Sequence, residues 1–342
     1  KLGGMQLESL ERLGLLDLLA AHSTRFDQSL NIRHGRIVDR TNARYQAAFY
    51  ADMVKTMRSA LPGGVRTVIG RVTELATGAE LQQLTIAEHG TLGARLVVLA
   101  SGMSDLLRAR LGITREVLHE RQSLTFGFNL RPRDGIAAHP ALTVYGERPR
   151  DGIDYLTLFP IGGLIRANLF VFLDHRDAWI KALRADPLAA LDDRLPGLRH
   201  RLDDVELEGR VQNWIMDLAV ARNVRQPGVV LIGDAYQTSC PAAGTGVSRL
   251  LTDVERLAAH VPAWLATPGM DAARIAAFYD DPVKAAMAAH ALGLAGYRRA
   301  FTVDTRLSWR ARRQAQFLRR RLLNAIDTLS PPLAARIRAL RA

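Results

Sequence analysis

The chain has 342 residues, of which 48% are hydrophobic and 23% charged, a composition that excludes a disordered protein and indicates a sizeable core. No apolar run reaches the roughly 20 residues that a membrane-spanning helix needs. The net charge is +12, but the stretch from Arg298 to the end holds 12 arginines against two aspartates, which leaves about +2 for the first 297 residues. The positive charge therefore belongs to a basic tail, and we expect no nucleic-acid partner for the body of the protein.

Cysteine and histidine usage narrows the class further. The single cysteine, Cys240, excludes an internal disulfide framework and is typical of a reducing cytoplasm, where we expect the protein. The nine histidines show neither an HExxH motif nor a paired-cysteine spacing, so we expect no metal site. The first 22 residues have a helical pattern rather than that of a signal peptide.

The first third of the chain mixes helical and strand patterns. Apolar residues at helical spacing predict helices over 5–20 and 52–61, the second ending at a Pro-Gly-Gly turn. Short β-branched segments predict strands over 65–72 and 81–88. The run 94–102 is apolar almost throughout, as expected for a strand covered on both faces, and it leads into a helical segment.

From about residue 120 the pattern changes to closely spaced strands, which predict an antiparallel sheet from 124–130, 141–146, 154–160 and 165–173. Helices are predicted over 176–193 and 211–221, and everything beyond Pro268 has a helical pattern. A strand at 229–232 and a helix at 246–260 return to the alternating α/β style.

The predicted fold class is therefore α/β. A doubly wound domain is assembled from residues 1–118 and 211–265, and a mostly antiparallel β-sheet domain at 119–210 interrupts it. A helical C-terminal arm occupies residues 266–342.

The most specific stretch is GVVLIGDAYQTSCPAAGTGVSRLLTDVERL, residues 228–257. A buried strand ends at Gly233-Asp234, and the chain then passes Pro241, Gly244 and Gly246 before a helix begins. Ligands of α/β folds bind at the carboxyl ends of strands, glycine lets the backbone approach a ligand closely, and a helix N-terminus favours negative charge. This spacing predicts a cradle for a flat, polyhydroxylated, partly anionic ligand. The alternative is an ordinary connection in which Asp234 only caps a turn.

These residues resemble the second flavin-binding motif of the FAD-dependent aromatic hydroxylases of the p-hydroxybenzoate hydroxylase fold. The matching positions are Gly233, Asp234, Pro241, Gly244, Gly246 and Asp253. The resemblance implies that Asp234 bonds the ribityl chain of FAD and that residues 241–246 follow the isoalloxazine edge. It also implies that Thr245, Gly246 and Val247, at the start of the helix, face the N1–O2 region of the flavin. The sequence departs from the family at Gln237, Ser248 and Leu250, where His, Asn and Gly are frequent.

The segment ARLVVLASGMSDLLRARLG resembles the middle motif of the same family. Gly102 and Arg108 match, whereas Ser101 stands where the family has aspartate. Since that motif touches FAD and influences NAD(P)H use in the family, the resemblance implies that Gly102 and Arg108 bind FAD and that NAD(P)H is the co-substrate.

The family's opening βαβ unit with its GxGxxG motif has no counterpart in this sequence. Three explanations stay open. A stretch of about 40 residues could precede this one, such a segment could become ordered only with FAD, or the protein has lost its adenine half-site. On the first two, residues 1–118 and 211–265 form an FAD-binding domain without its first βαβ unit.

Candidate substrate residues lie in the β domain, whose strand DYLTLFPIGG matches the family's substrate sheet in placement. Phe159 and Pro160 end a strand and either face the substrate or only lead into a turn. Tyr155 and Arg166 either bind a substrate phenol or carboxylate or are purely structural. Cys240 is expected close to the flavin, as a small packing residue or as a reactive thiol.

The basic C-terminal helix is amphipathic. Its apolar residues recur at spacings of three and four: Leu307, Ala311, Leu318, Leu322, Ala325 and Leu329. We expect this face to pack on the protein's own flavin domain, and the alternative is peripheral contact with an anionic membrane. Trp309 and Phe317 do not form part of any recognisable DNA-binding module. The sequence leaves open a monomer or a homodimer.

The resemblance implies an FAD-dependent monooxygenase. It would hydroxylate an aromatic or polyketide-like small molecule through a flavin C4a-hydroperoxide, with NAD(P)H and O2, and without a catalytic side chain of the protein. The alternatives are a flavin-dependent reductase of the same superfamily and a flavin-fold binding protein that holds its cofactor poorly. A halogenase is disfavoured because the GWxWxIP motif is absent.

Overall fold

The computed structural model describes residues 1–133, 140–202 and 204–330. Its strands are β1 Leu2–Gly3, β2 Thr24–Arg33, β3 Arg36–Ala47, β4 Val72–Ala76, β5 Gln82–Ile86, β6 Gly90–Ala94, β7 Val97–Leu99, β8 Thr114–Pro132, β9 Ala141–Tyr145, β10 Ile153–Ile161, β11 Leu164–Val171, β12 Val205–Arg222 and β13 Val229–Leu231. Its helices are α1 Met5–Arg12, α2 Leu16–Ala20, α3 Tyr50–Ser59, α4 Leu106–Arg110, α5 Ala178–Ala185, α6 Pro187–Arg194, α7 Gly246–Ala266, α8 Ala272–Tyr279, α9 Pro282–Val303 and α10 Leu307–Leu329.

Eight strands form one large sheet in the order β1-β3-β2-β9-β10-β11-β8-β12. All neighbours are antiparallel except β2 and β9, which run parallel. One face of the sheet is apolar at alternate positions of each strand and packs against α5 and α6. The expected antiparallel sheet is confirmed, and β1, β2 and β3 add strands from before residue 119.

Residues 211–221 form the end of a strand, and the predicted helix there is wrong. They belong to β12, which pairs antiparallel with β8 along most of its length. The segment carries Val211, Trp214 and Ile215, which suit a half-exposed pleated surface, and the long partner strand satisfies its backbone groups. Tertiary pairing therefore overrides the apolar spacing that favoured a helix.

Several other boundaries differ from the prediction. The first helix is interrupted at Gly14 (φ 69°), which separates α1 from α2, and the helix predicted over 176–193 is split at Asp186-Pro187. The strand predicted over 65–72 is wrong because β4 only begins at Val72.

β7 and β13 form a parallel pair in which Val97, Val98 and Leu99 lie beside Val229, Val230 and Leu231. All three residues of β13 are fully buried, in a cluster that also includes side chains of α7 and α8. Both strands end at the same edge, where one leads into residues 100–105 and the other into Gly233-Asp234. This edge therefore brings together the two stretches with ligand-binding patterns.

The C-terminal part is helical from α7 to α10. The prediction that α10 packs through its leucine face is wrong. The buried residues of this helix are Arg313 and Phe317, and it lies against β3 and α9. Phe317 contacts the ring of Tyr145 at 5.3 Å, and Arg320 pairs with Asp39 at 2.7 Å. The surface that α10 meets is aromatic and acidic, so it takes Phe317 and Arg320 rather than the leucine face.

Within the described ranges, every helix is too short or too polar to cross a bilayer.

Candidate cofactor and substrate site

Arg108 joins the two ligand-binding stretches. It is buried in α4 and donates hydrogen bonds from Nη1 to the carbonyl oxygens of Gly102 (3.1 Å) and Ala235 (2.8 Å). Its Nη2 also bonds the carboxylate of Asp105. Gly102 and Arg108, predicted as one motif, thus lie directly beside the Gly233-Asp234 motif.

Gly233 and Asp234 form the turn at the end of β13. Gly233 has a φ of 59°, which favours glycine, and its N–H donates to Asp253 Oδ2 at 2.9 Å. The Asp234 side chain is 38% exposed, and its Oδ1 accepts from Arg249 Nη2 at 3.0 Å. Its Oδ2 has no hydrogen bond to any residue that the structure describes. Burial raises the pKa of Asp234, although Arg249 and Arg115 oppose the shift.

Arg249 is the residue of this site that the motif does not reveal. Its guanidinium is buried and donates to Ser239 Oγ (3.1 Å), to the Gly233 carbonyl (3.0 Å) and to Asp234. We call the loop between β13 and α7, residues 233–245, the glycine loop. Arg249 therefore joins the start of the glycine loop, at Gly233 and Asp234, to its middle, at Ser239. The only sequence signal for Arg249 is its position four residues before Asp253, a spacing that places both side chains on one face of a helix. Its other contacts become visible only in the fold.

A buried chain of charges supports the same loop. Arg249 Nη1 lies 3.7 Å from Asp253 Oδ2, and Lys284 Nζ donates to Asp253 Oδ1 at 2.5 Å. Together with Asp234, these groups form an alternating series of carboxylates and cations in the order Asp234, Arg249, Asp253 and Lys284. Burial lowers the pKa of Lys284, and Asp253 opposes that shift. The Lys284 ammonium also lies 4.2 Å from the ring centroid of Tyr236, inside the glycine loop.

The second half of the glycine loop leaves hydrogen-bonding groups without partners. Pro241–Ala243 form one helical turn, and Gly244 (φ 68°) reverses the chain before α7 starts at Gly246. The N-cap residue of α7, Thr245, makes no side-chain capping hydrogen bond. The Thr245 hydroxyl is buried, yet it forms no hydrogen bond with any residue that the structure describes. A buried polar group without a partner costs about 1–3 kcal/mol, so this hydroxyl is a candidate ligand contact.

Open space lies over two of the glycines. A Cβ at Gly102 or at Gly244 would meet no described atom within 4 Å. Val247, in the first turn of α7, is 39% exposed. Gly102, Gly244 and Val247 therefore border accessible space, and the Thr245 hydroxyl with the free Asp234 oxygen fits a ligand that has hydroxyl groups and an anionic edge. The residues present fit FAD on these grounds.

Three of the four predicted substrate residues share one face of the large sheet. Across β10 and β11, Tyr155 pairs with Phe170 and Phe159 pairs with Arg166, so these side chains project on the same side. Pro160 pairs with Ile165, a residue of the core beneath the sheet, and therefore belongs to the opposite face. The structure does not bring Pro160 together with the other three.

Tyr155 connects this sheet face to the glycine loop. Its hydroxyl donates to the carbonyl oxygen of Ala242 at 2.9 Å, and its ring lies 4.7 Å from that of Phe170. Burial raises the pKa of the Tyr155 phenol, so it stays protonated at neutral pH. Phe159 is buried and stacks on Phe26 with 6.2 Å between ring centroids.

Arg166 is held in place without a carboxylate partner among the described residues. Its Nε donates to Asn168 Oδ1 (3.1 Å) and its Nη1 to Asn129 Oδ1 (3.2 Å). The guanidinium lies over Gly127, where a Cβ would collide with it. Burial lowers the pKa of Arg166, so the site holds a partly desolvated cation. Such a cation is suited to binding an anionic group bidentately.

Cys240 lies within the glycine loop and is fully buried with Leu218, Ala242 and Ala295. Its Sγ lies 3.5 Å from Ser123 Oγ, and burial raises the pKa of the thiol. Both observations agree with a packing residue rather than a reactive thiol.

The comparisons with known proteins agree with this architecture. No family model matches the chain, and no curated protein matches it in sequence. Three of the similar solved structures show this. The p-nitrophenol 4-monooxygenase PnpA from Pseudomonas putida DLL-E4 has a TM-score of 0.69 and 17% identity, over 91% of this chain and 80% of that chain. Klebsiella pneumoniae HpxO complexed with FAD and uric acid has a TM-score of 0.67 and 16% identity, over 92% and 81%. The flavin-dependent brominase Bmp2 has a TM-score of 0.62 and 15% identity, over 96% and 80%.

The chain has the flavoprotein monooxygenase fold. This confirms the resemblance in fold that the residues around Asp234 indicated. At these identities the similarity shows the fold alone.

Proposed function

We propose that the protein is an FAD-dependent monooxygenase that hydroxylates an aromatic or polyketide-like small molecule, with NAD(P)H and O2 as co-substrates. In this proposal FAD supplies the redox and oxygen chemistry, and the protein binds, orients and shields. The parallel pair β7 and β13 belongs to a doubly wound FAD-binding domain. We place the enzyme in the cytoplasm, in keeping with its single free cysteine.

The observation that carries the proposal is the unsatisfied end of the glycine loop. Thr245 is the N-cap residue of α7, and its buried hydroxyl neither caps the helix nor bonds any other residue in the described part of the chain. Asp234, held by Arg249, keeps Oδ2 free to accept a hydrogen bond from a ribityl hydroxyl. Gly102 and Gly244 leave the space a flat ring system needs. Because α7 is 21 residues long, its dipole favours negative charge on whatever lies at Gly246 and Val247.

The substrate lies on the sheet face that carries Tyr155, Phe159 and Arg166. Arg166 has no described acidic partner, so we assign it to an anionic group of the substrate, a carboxylate or a phenolate. The aromatic neighbours on β10 and β11 exclude water and orient a planar ring. The names of two similar structures include p-nitrophenol and uric acid, which are planar ring compounds. A substrate of that general shape fits the face in question.

Flavin retention tests the cofactor site. Purified protein is incubated with FAD, passed through a desalting column and examined for flavin absorbance. We expect the wild-type protein to retain FAD and Asp234→Ala to retain at least tenfold less at equal concentration. Asp17→Ala is the matched control, because Asp17 is exposed on α2 and its side chain forms no hydrogen bond or ion pair with the described residues of the glycine loop. If no flavin remains with wild-type protein, the protein is a binding protein of flavin fold and the oxidative proposal fails.

Oxygen uptake separates a monooxygenase from a reductase. The FAD-loaded protein is mixed with NADH or NADPH and a panel of aromatic acids and phenols, and both nicotinamide oxidation and O2 consumption are followed. Coupled consumption with a hydroxylated product supports the monooxygenase. Nicotinamide oxidation without O2 incorporation into the aromatic compound would assign a reductase instead.

A further inference from the structure

The outer face of α10 is apolar, although it points away from the protein. At 100° per residue, six residues fall within a sector of about 60°, whose centre lies about 150° from the buried Arg313 and about 110° from the buried Phe317: Leu307, Ala311, Leu318, Leu322, Ala325 and Leu329. We call these six residues the leucine stripe. All are exposed, and the four leucines are 78%, 68%, 59% and 85% exposed in chain order. An apolar row of this length on a solvent-facing helix marks an interaction site.

Arginines line both sides of the leucine stripe: Arg310 and Arg321 on one side, Arg312 and Arg319 on the other. All four are exposed, and none forms an ion pair with a carboxylate among the described residues. The arginines of α10 that face the protein behave differently. Arg320 forms two hydrogen bonds with Asp39, and Arg313 donates to two backbone carbonyls. The unpaired positive charge of this helix is therefore concentrated around the leucine stripe.

A groove beside α10 extends the positive surface. It has a volume of about 230 Å³ and runs between the β2–β3 turn and the helix, with Arg33, Arg36 and Arg321 among its lining residues. Leu318 of the leucine stripe lines the same groove. Cations and an exposed apolar side chain thus meet at one place, which suits a group that is anionic at one end and apolar at the other.

We propose that the leucine stripe and its flanking arginines bind the surface of an anionic lipid bilayer. A helix of 23 residues is about 34 Å long, and lying flat it would bury its leucines among the acyl chains near the headgroups. The arginines at both flanks then reach the lipid phosphates while their stems cover apolar surface. This proposal is independent of the function proposed for the flavin site.

Two other occupants fit less well. A second copy of the chain, paired through the leucine stripe, would place arginines of one helix against arginines of the other, because both flanks of the stripe are basic. A nucleic acid would need stacking platforms or polar contacts at the centre of the face, but the centre is leucine. The aromatic residues of α10 lie on the other side: Phe317 is buried, and Trp309 is partly covered by Arg312, whose guanidinium is 4.8 Å from the ring centroid.

Vesicle co-sedimentation tests the proposal with the intact protein. We expect binding to vesicles of phosphatidylglycerol and phosphatidylcholine in equal parts, and at least tenfold weaker binding to phosphatidylcholine alone, because four or more cations face the headgroups. Raising the salt to about 0.5 M should weaken the binding severalfold. Leu318→Ser combined with Leu322→Ser should weaken binding to the mixed vesicles at least fivefold at unchanged net charge.

A charge-matched pair of variants separates local from overall charge. The quadruple Arg→Gln variant at 310, 312, 319 and 321 should lose binding at least tenfold. The control removes the same charge from four exposed arginines elsewhere, Arg58, Arg66, Arg71 and Arg184, and should bind like wild type. Circular dichroism and FAD retention of each variant show whether it is folded.

Three outcomes would overturn the proposal. Wild-type protein that stays in the supernatant with mixed vesicles would do so, as would equal binding of both quadruple variants. A leucine double variant that turns a dimer into a monomer on gel filtration, without any vesicle binding by wild type, would assign the stripe to a second copy. A dye attached through Leu322→Cys, with Cys240 protected by burial, gives an independent readout: its emission should shift to the blue on anionic vesicles only.

Discussion

Replacing Lys284 with methionine should destabilise the protein by about 3 kcal/mol. Lys284 and Asp253 are 2% and 1% exposed, and the Nζ–Oδ1 distance is 2.5 Å. Removing one partner of a buried pair typically costs 3–5 kcal/mol, because the other charge stays buried. Asp253 would keep the Gly233 N–H at 2.9 Å and Arg249 at 3.7 Å, which places the expected cost at the lower end. Methionine keeps an unbranched apolar side chain of similar length at this buried position.

Equilibrium unfolding in urea, followed by tryptophan fluorescence, measures this cost. Lys181→Met is the control, since Lys181 is exposed on α5 and its replacement should change the free energy of unfolding by less than about 0.5 kcal/mol. The double variant Lys284→Met with Asp253→Asn should be more stable than Lys284→Met alone, because it removes both buried charges. The argument is refuted if Lys284→Met lies within about 1 kcal/mol of wild type, or if adding Asp253→Asn lowers the stability further.

Three more predictions concern the site. Burial raises the folded-state pKa of Asp234 above its unfolded value, so its stabilising contribution is full at acidic pH and is lost as the pH rises through the folded pKa. Urea midpoints should therefore show Asp234→Asn gaining stability relative to wild type as the pH rises above about 4, the ordinary pKa of an aspartate. A difference that stays constant with pH would contradict this. Gly127→Ala should displace the Arg166 guanidinium and weaken binding of an aromatic acid at least tenfold while FAD retention stays unchanged, as calorimetry can check. The Cys240 thiol is buried with a raised pKa, so a thiol reagent at pH 8 should label it only after denaturation; rapid labelling of native protein would show that the loop opens.

The glycine loop could be predicted from the sequence because its constraints are local. A strand that ends in Gly-Asp, a proline that stiffens the chain and a glycine at positive φ before a helix are properties of consecutive residues. Arg249 could not be predicted in the same way. Its role depends on Ser239, Gly233 and Asp234 converging on one guanidinium, and that convergence exists only once α7 packs behind β13.

The large sheet was predicted in part. The strands between residues 124 and 173 could be predicted because apolar and polar residues alternate along them. The hairpin of β2 and β3 was not predicted. Its signal is the two-residue connection His34-Gly35, whose φ angles of 52° and 66° are those of a tight hairpin turn. The flanking residues are rich in Arg and Asn and so hide the strand pattern. β12 was mistaken for a helix because its partner, β8, is more than 70 residues away along the chain at every pairing.

α10 shows how far amphipathicity alone can mislead. Its leucines form the more apolar face, and the hydrophobic effect alone would bury them. The folded chain instead offers α10 a surface of Tyr145, Phe301 and Asp39, to which Phe317 and Arg320 are complementary. Packing complementarity therefore decides which face turns inward, and the leucines that remain outside need another partner.

The inner face of α10 is connected to the candidate site by a short series of contacts. Phe317 lies 5.3 Å from Tyr145, Tyr145 lies 6.2 Å from Tyr155, and the Tyr155 hydroxyl bonds the carbonyl oxygen of Ala242 in the glycine loop. A bilayer bound to the outer face of α10 would therefore be separated by this one helix from the ring contacts that lead to Tyr155. If the proposed function and the proposed membrane contact both hold, an aromatic substrate that partitions into lipid is concentrated at the surface to which the protein is bound. On this reasoning the leucine double variant should raise the apparent KM for a lipid-soluble substrate presented in anionic vesicles and leave the KM for a water-soluble analogue unchanged. An equal effect on both substrates would mean that α10 acts through the ring contacts to the glycine loop and not through the membrane.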